Sequence, residues 1–136
     1  MSENTTLDEP SRLRLANEIM DLFDHWQVTM DDQISLLGLA DTVRKRHLHK
    51  FREDLPLPDD GKVMERAEHL MGIADALRTY FPNSPQARSR WMRTTSKKFP
   101  NITPIQIMLR DGVSGLIRIR AHLDCTYAWD LSGSKS

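Results

Sequence analysis

The sequence predicts an all-α fold in which a helix-turn-helix-like N-terminal half packs with a small C-terminal helical module. Apolar residues recur three and four positions apart, as Leu15, Ile19 and Phe23 do, and this spacing is typical of amphipathic helices. Most of these runs are bounded by helix start or stop signals. The alternation typical of strands is confined to the short run at 117–119.

The N-terminal half contains the signals for three helices. The first should run from Pro10 to about Trp26, since proline favours the first helical turn. Thr29 is predicted to cap a second helix, which Gly38 ends. A third helix is expected to start at about Thr42 and to carry a basic cluster.

The C-terminal half should begin with the longest helix, from Lys62 to about Phe81. Ser84 is predicted to cap a short helix and Thr103 the next, each followed by a proline that suits the first helical position. Gly112 ends that helix, and a last amphipathic helix follows. The apolar stripes of all these helices predict a core that includes Trp26, Leu37, Leu70, Leu77, Trp91, Leu116 and Leu123.

The length of 136 residues accommodates one domain or two small helical ones that share a core. We predict disordered tails at residues 1–9 and 131–136, because both are polar and lack periodicity. Between them we expect a helix-turn-helix region over residues 10–58, and a central helix with a C-terminal module over residues 59–130. The LPLPDDG segment at 55–61 separates the two, since no helix crosses it.

Composition argues for a cytoplasmic protein without a membrane partner. No apolar run approaches the roughly 18 residues of a membrane span. The N-terminus lacks the basic-then-apolar order of a signal peptide. A single cysteine, Cys125, excludes an intrachain disulfide framework.

Nothing in the sequence predicts enzymatic chemistry, a metal site or a cofactor. Adjacent carboxylates diverge on helices or fall in loops, and glycine-rich phosphate loops are absent. His47 and His49 would point about 200° apart on a helix, so they cannot share a metal. Cys125 follows His122 by three residues, but an inert, partly buried thiol is the simpler interpretation than a nucleophile.

The net charge of zero conceals two basic segments. Residues 44–52 contain five Lys and Arg residues and no acid, and residues 76–110 contain seven and no acid. A helix in the DNA major groove needs polar residues for base edges and cations for phosphates. The candidate DNA-binding residues are therefore Thr42, Arg44, Lys45, Arg46, His47 and Lys50.

A second interpretation of the same residues is two packed helices with a solvated basic face. Val43 lies five positions after Gly38, where six is commoner in a helix-turn-helix. This short turn keeps both interpretations open.

Four stretches of the chain resemble Xre/MbcA/ParS-type antitoxins in their order and spacing. They are residues 26–39, residues 63–81, the segment WMRTTSKKFPNITPIQIM at 91–108, and residues 111–123. The last two resemble the toxin-binding module of these antitoxins, and the first resembles the start of their Xre-like helix-turn-helix. The chain departs from the family at Asn101-Ile102, where a glycine is commoner.

The resemblance implies an antitoxin that binds a cognate RES-domain toxin, which degrades NAD, and blocks its substrate cleft sterically. It also implies operator DNA as a partner and a homodimer or a larger hetero-oligomer. The toxin-binding residues expected from the basic loop and the last helix are Lys97, Lys98, Asn101, Arg118, Arg120 and Trp129.

Two alternatives carry no toxin partner. One is a stand-alone helix-turn-helix transcriptional repressor, and the other is a scaffold or phage-type adaptor.

Overall fold

A computed structural model describes the backbone of residues 7–131 and the side chains of residues 7–125. Over this part of the chain the structure contains helices and no strands, which confirms the predicted all-α class. The elements are α1 (Glu9–Trp26), α2 (Met30–Leu37), a 3-10 helix (Lys45–Arg52), α3 (Gly61–Tyr80), α4 (Pro85–Met92), α5 (Pro104–Asp111) and α6 (Val113–Leu131).

The predicted helix caps are confirmed. The hydroxyl of Thr29 accepts a hydrogen bond from the Asp32 amide, and that of Ser84 accepts one from the Ala87 amide. Thr103 forms a reciprocal capping box with Gln106. Each cap satisfies an amide that has no partner within the first helical turn. These local bonds explain why the starts of α2, α4 and α5 are readable from the sequence.

The prediction for the third helix was wrong in type and in starting point. We expected an α-helix from about Thr42, but Thr42 lies in a turn and Arg44 is extended, with φ −87° and ψ 148°. The helix that follows is a 3-10 helix. Leu48 and Phe51 are both buried, and residues three apart lie on one face when a helix has three residues per turn. The eclipsed pair lies on the side of the 3-10 helix that packs in the N-terminal unit, where α1 and α2 contact this helix.

Close packing divides the chain into two compact units, with the boundary inside α3 between Glu68 and His69. In the N-terminal unit, α1 and α2 pack against the 3-10 helix. The Asn17 amide Nδ2 donates to the Phe51 carbonyl at 2.6 Å, and Arg12 Nε donates to the Leu57 carbonyl at 3.0 Å. These bonds hold the 3-10 helix and the linker on α1.

In the C-terminal unit, α5 packs against α6 and α4. The approach of α5 to α6 is close at Gly115, where an added Cβ would lie 2.5 Å from the Ile107 carbonyl oxygen. Only glycine fits there without a shift of the backbone. The buried side chains of this unit include Leu70, Leu77, Met92, Phe99, Ile107, Leu116, Ile119 and Leu123.

Six of the seven predicted core residues are buried, and Trp91 is the exception. Trp91 is only half-buried, because α4 directs Ser89 and Met92 to the interior instead. Part of the Trp91 indole is therefore left on the wall of an open groove.

Candidate functional site

A groove opens in the C-terminal unit beside α4. Its volume is about 240 Å³, and its lining combines the end of α3, one side of α4 and the loop that follows α4. A second cavity of about 130 Å³ shares two of these lining residues, Phe81 and Trp91, and adds Tyr80, His122 and Leu123. We call the larger of the two the Trp91 groove. It is lined by Phe81, Ala87, Arg90, Trp91, Thr94, Thr95 and Ser96.

Hydrogen bonds hold both rims of the Trp91 groove. Arg88 donates from Nε to the Phe81 carbonyl at 2.9 Å and from Nη2 to the Pro82 carbonyl at 3.0 Å. On the other rim, the Ser96 amide donates to the Phe99 carbonyl at 3.0 Å, and the Ser96 hydroxyl accepts from the Phe99 amide at 3.2 Å. Because Phe99 is buried, this loop is anchored on the core.

An aromatic cluster supports the floor of the groove. The rings of Trp91 and His122 stack with 6.2 Å between centroids and 15° between planes, and Phe99 meets His122 edge-on at 5.2 Å. The Arg118 guanidinium lies 5.3 Å from the centre of the Phe99 ring, within cation–π range. Partial burial, followed by the nearby Lys98 cation, lowers the pKa of His122.

Four of the predicted toxin-binding residues are exposed. Lys97, Lys98 and Asn101 lie in the loop between α4 and α5, and Arg118 lies on α6. The contact of Arg118 with Phe99 brings the α6 cation beside this loop, so the structure places the four on neighbouring elements.

The other two predicted toxin-binding residues, Arg120 and Trp129, are not among the exposed ones described. Arg120 is half-buried and lies over Gly72 of α3, with its Nη1 3.2 Å from His69 Nδ1. An added Cβ on Gly72 would come within 2.3 Å of Arg120 Nε, so glycine leaves the space for this side chain. We expected Arg120 to be a plain surface cation, and its packing corrects that expectation. The side chain of Trp129 lies outside the described residues.

The predicted DNA-binding residues lie on and just before the 3-10 helix. Thr42, Arg44, Lys45, Arg46 and Lys50 are exposed, and His47 is half-buried.

Two cations of this segment are already paired within the N-terminal unit. Lys45 Nζ lies 3.2 Å from an oxygen of Asp31, and Arg52 forms a bidentate pair with Asp24. Partial burial, and then Lys50 and Arg46, lower the pKa of His47. Arg44, Arg46 and Lys50 form no ion pair among the described residues, and Arg46 Nε donates to His47 Nε2 at 3.4 Å.

The sequence reasoning missed Ala87, Arg90 and Phe81 as site residues. Two signals were available. The stretch from Ala76 to Arg110 contains no acid, and a small residue at Ala87 lies one helical turn before Trp91. A small residue one helical turn from a tryptophan leaves space beside the large ring, so the pair Ala87 and Trp91 indicates a recess that neither residue indicates alone.

No described residues form a group of three or more His, Cys, Asp or Glu side chains able to hold a metal ion. Cys125 is exposed, which corrects the expected partial burial, because on α6 the residue that faces the interior is Leu123. Among the described helices, none is both long and apolar enough to cross a membrane.

Comparison with known proteins identifies the unit that carries the groove. Residues 76–126 match the antitoxin Xre/MbcA/ParS C-terminal toxin-binding domain. The chain is also similar to the uncharacterized protein y4oB of Sinorhizobium fredii, with 32% identity over 101 residues, which cover 74% of each chain. No solved structure matches the chain. The chain therefore belongs to the family of proteins that carry the Xre/MbcA/ParS C-terminal toxin-binding domain of antitoxins.

Proposed function

We propose that the chain is the antitoxin of a type II toxin–antitoxin system, and that it binds and sterically blocks a RES-type toxin that degrades NAD. The observation that carries the proposal is the match of residues 76–126 to a toxin-binding domain. The matched residues include the Trp91 groove and the exposed cations around it. Steric neutralisation requires a well-fitted surface and no catalytic group.

Co-expression tests this proposal. The chain is produced together with the protein encoded by the neighbouring reading frame, which the proposal takes to be the RES-domain toxin, and cell survival, cellular NAD and co-purification are measured. We expect survival, preserved NAD and a stable complex. Unprotected cells with a folded chain present would contradict the proposal.

A truncation tests whether the C-terminal residues of the module contribute to toxin binding. Removing residues 126–136 deletes Trp129 and the end of α6, while the buried contacts of the N-terminal unit stay intact. We expect weaker protection with unchanged folding of the N-terminal helices, measured by circular dichroism. Full protection by the truncated, folded chain would remove Trp129 from the binding surface.

The same proposal includes autoregulation through operator DNA. It is supported by the three exposed cations Arg44, Arg46 and Lys50, which form no ion pair among the described residues, because phosphate neutralisation supplies most of the affinity of a protein for DNA. Retention of the chain's own promoter fragment at low salt tests it. A stand-alone repressor would bind the promoter without a toxin gene beside it, so gene order separates the two functions.

We also propose self-association. Symmetric dimers are the usual way in which helix-turn-helix proteins read two half-sites. Light scattering at tens of micromolar should give a dimer mass or more. A monomer mass would contradict dimeric operator binding without affecting the toxin-binding proposal.

A further inference from the structure

We infer that the Trp91 groove receives one bulky apolar side chain from an acidic segment of the partner toxin. The inference rests on the proposed function and names the contact by which it would operate. Three properties of the groove support it: its size, its charge and the support beneath Trp91.

The size of the groove favours a side chain over a metabolite. Pockets for small molecules typically enclose about 300–1,000 Å³, and the Trp91 groove encloses about 240 Å³. It is bounded by the rings of Phe81 and Trp91 and the methyl group of Ala87. A space of this size with an apolar wall suits one large aliphatic or aromatic side chain.

The charge around the groove favours an acidic segment. Arg90 lines the groove, is exposed, and makes no ion pair among the described residues. The loop that supplies Thr94 to Ser96 continues directly into Lys97 and Lys98, both exposed. No acid occurs between Ala76 and Arg110, and the flanking Asp75 and Asp111 pair with Arg78 and Arg110 instead of with the cations at the groove. An acidic partner segment supplies the opposite charge.

The support beneath Trp91 favours an anchor site. One face of the indole is stacked on His122, and His122 in turn contacts the buried Phe99. Arg88 fixes the chain at Phe81. Trp91 is thus held in place before binding, which reduces the ordering cost of association. Tryptophan and arginine are also enriched among residues that dominate binding energy, and Trp91 and Arg90 are neighbours.

Filling the groove is the first arm of the test. Ala87→Leu adds three heavy atoms into the groove from α4, while Gln86→Leu adds apolar surface on the same helix outside it. The affinity of each full-length variant for the RES-domain protein encoded beside the chain is measured by calorimetry. We expect at least about a tenfold loss of affinity for Ala87→Leu and less than about twofold for Gln86→Leu. Equal affinity of both variants and the wild type would overturn the inference.

Charge reversal is the second arm, and it leaves the apolar packing untouched. Arg90→Glu changes a groove cation, whereas Arg78→Glu changes an exposed cation that pairs with Asp75 and does not line the groove. Arg90→Glu should slow association and weaken its salt dependence more than Arg78→Glu does. If Ala87→Leu lowers the melting temperature, this pair decides the question alone, and equal effects of the two reversals would overturn the inference.

The two proposals fail differently. A wild-type chain that does not bind the RES-domain protein contradicts the proposed function, and this inference with it. A wild-type chain that binds, with groove variants that bind equally well, contradicts the inference alone. A second copy of the chain is the competing occupant: if Ala87→Leu converts a dimer to a monomer in light scattering and leaves toxin affinity unchanged, the groove serves self-association instead.

Discussion

The two basic segments of this chain have the same charge pattern and form different surfaces. In residues 44–52 the cations lie on a 3-10 helix whose apolar residues, Leu48 and Phe51, are buried. In residues 76–110, Arg90 lines a groove that leaves part of Trp91 open, and Lys97 and Lys98 directly follow the loop that lines it. The first segment presents charge alone, and the second presents charge together with apolar surface.

This difference predicts different partners. Charge alone suits the phosphates of a nucleic acid, whose attraction for a protein is largely electrostatic and salt-dependent. Charge around an apolar groove suits a protein, because the anchors of protein interfaces are desolvated aromatic and arginine residues.

Alanine substitution of the two tryptophans Trp26 and Trp91 should have different main effects: a loss of stability at Trp26 and a loss of toxin affinity at Trp91. Trp26 is fully buried in the N-terminal unit, so Trp26→Ala should cost about 3–5 kcal/mol of unfolding free energy. Trp91→Ala should cost about 1–2 kcal/mol, since part of its ring is already in water, and it should cause the larger loss of toxin affinity. Urea denaturation and calorimetry measure the two effects. A larger stability cost at Trp91 would show that it belongs to the core.

Glycines support the two units for different reasons. Gly115→Ala should cost about 1–3 kcal/mol, because its Cβ would meet the Ile107 carbonyl oxygen at 2.5 Å. Gly38→Ala should cost about 1–2 kcal/mol, because Gly38 ends α2 with φ of +69°. Thermal denaturation measures both, with Gly61→Ala as the control, since nothing lies within 4 Å of its added Cβ. If Gly61→Ala loses as much stability as the other two variants, the loss comes from replacing any glycine and not from the contact at Gly115 or the backbone angle at Gly38.

Salt should separate the two basic segments. Arg44→Ala and Arg46→Ala each remove an exposed cation of the 3-10 segment and should reduce the slope of log affinity for promoter DNA against log salt by about one. Arg90→Ala, in the other segment, should leave that slope unchanged. Fluorescence anisotropy over a salt series is the measurement. A loss of sequence preference in the Arg44 or Arg46 variant would instead assign that residue to base reading.

Acidification should have the smallest effect, and its part in the C-terminal unit should come from His122. The pKa of His122 is lowered in the folded chain, first by partial burial and then by Lys98. The unfolded chain therefore takes up the proton first as pH falls below the ordinary histidine value of about 6.5. Stability should be complete above that value and should decline as pH falls towards the lowered pKa. The difference between the melting temperatures at about pH 7.5 and 5.5 should be smaller in His122→Gln than in the wild type, and the lowered pKa of His47 accounts for a remaining difference. An unchanged difference would exclude His122 as a cause.

Much of the helical framework was determined by the sequence, because its signals are local. Thr29, Ser84 and Thr103 cap helices through bonds to residues three positions ahead. Gly38 ends α2 because the left-handed conformation favours glycine. The apolar stripes identified Trp26, Leu37 and Leu116 as buried, since helical spacing alone places them on one face.

Tertiary structure decided the two features that concern the site. A 3-10 helix stands where an α-helix was predicted, and its buried residues Leu48 and Phe51 lie in the unit where it contacts α1 and α2. Those contacts are between segments far apart in sequence, so local signals do not reveal them. Trp91 is only half-buried, although it was predicted in the core, because Met92 and Ser89 occupy the inner side of α4. The exposed face of a side chain depends on which neighbours fill the space around it. Those neighbours, here Phe81, Phe99 and His122, all lie outside α4, and His122 comes from α6.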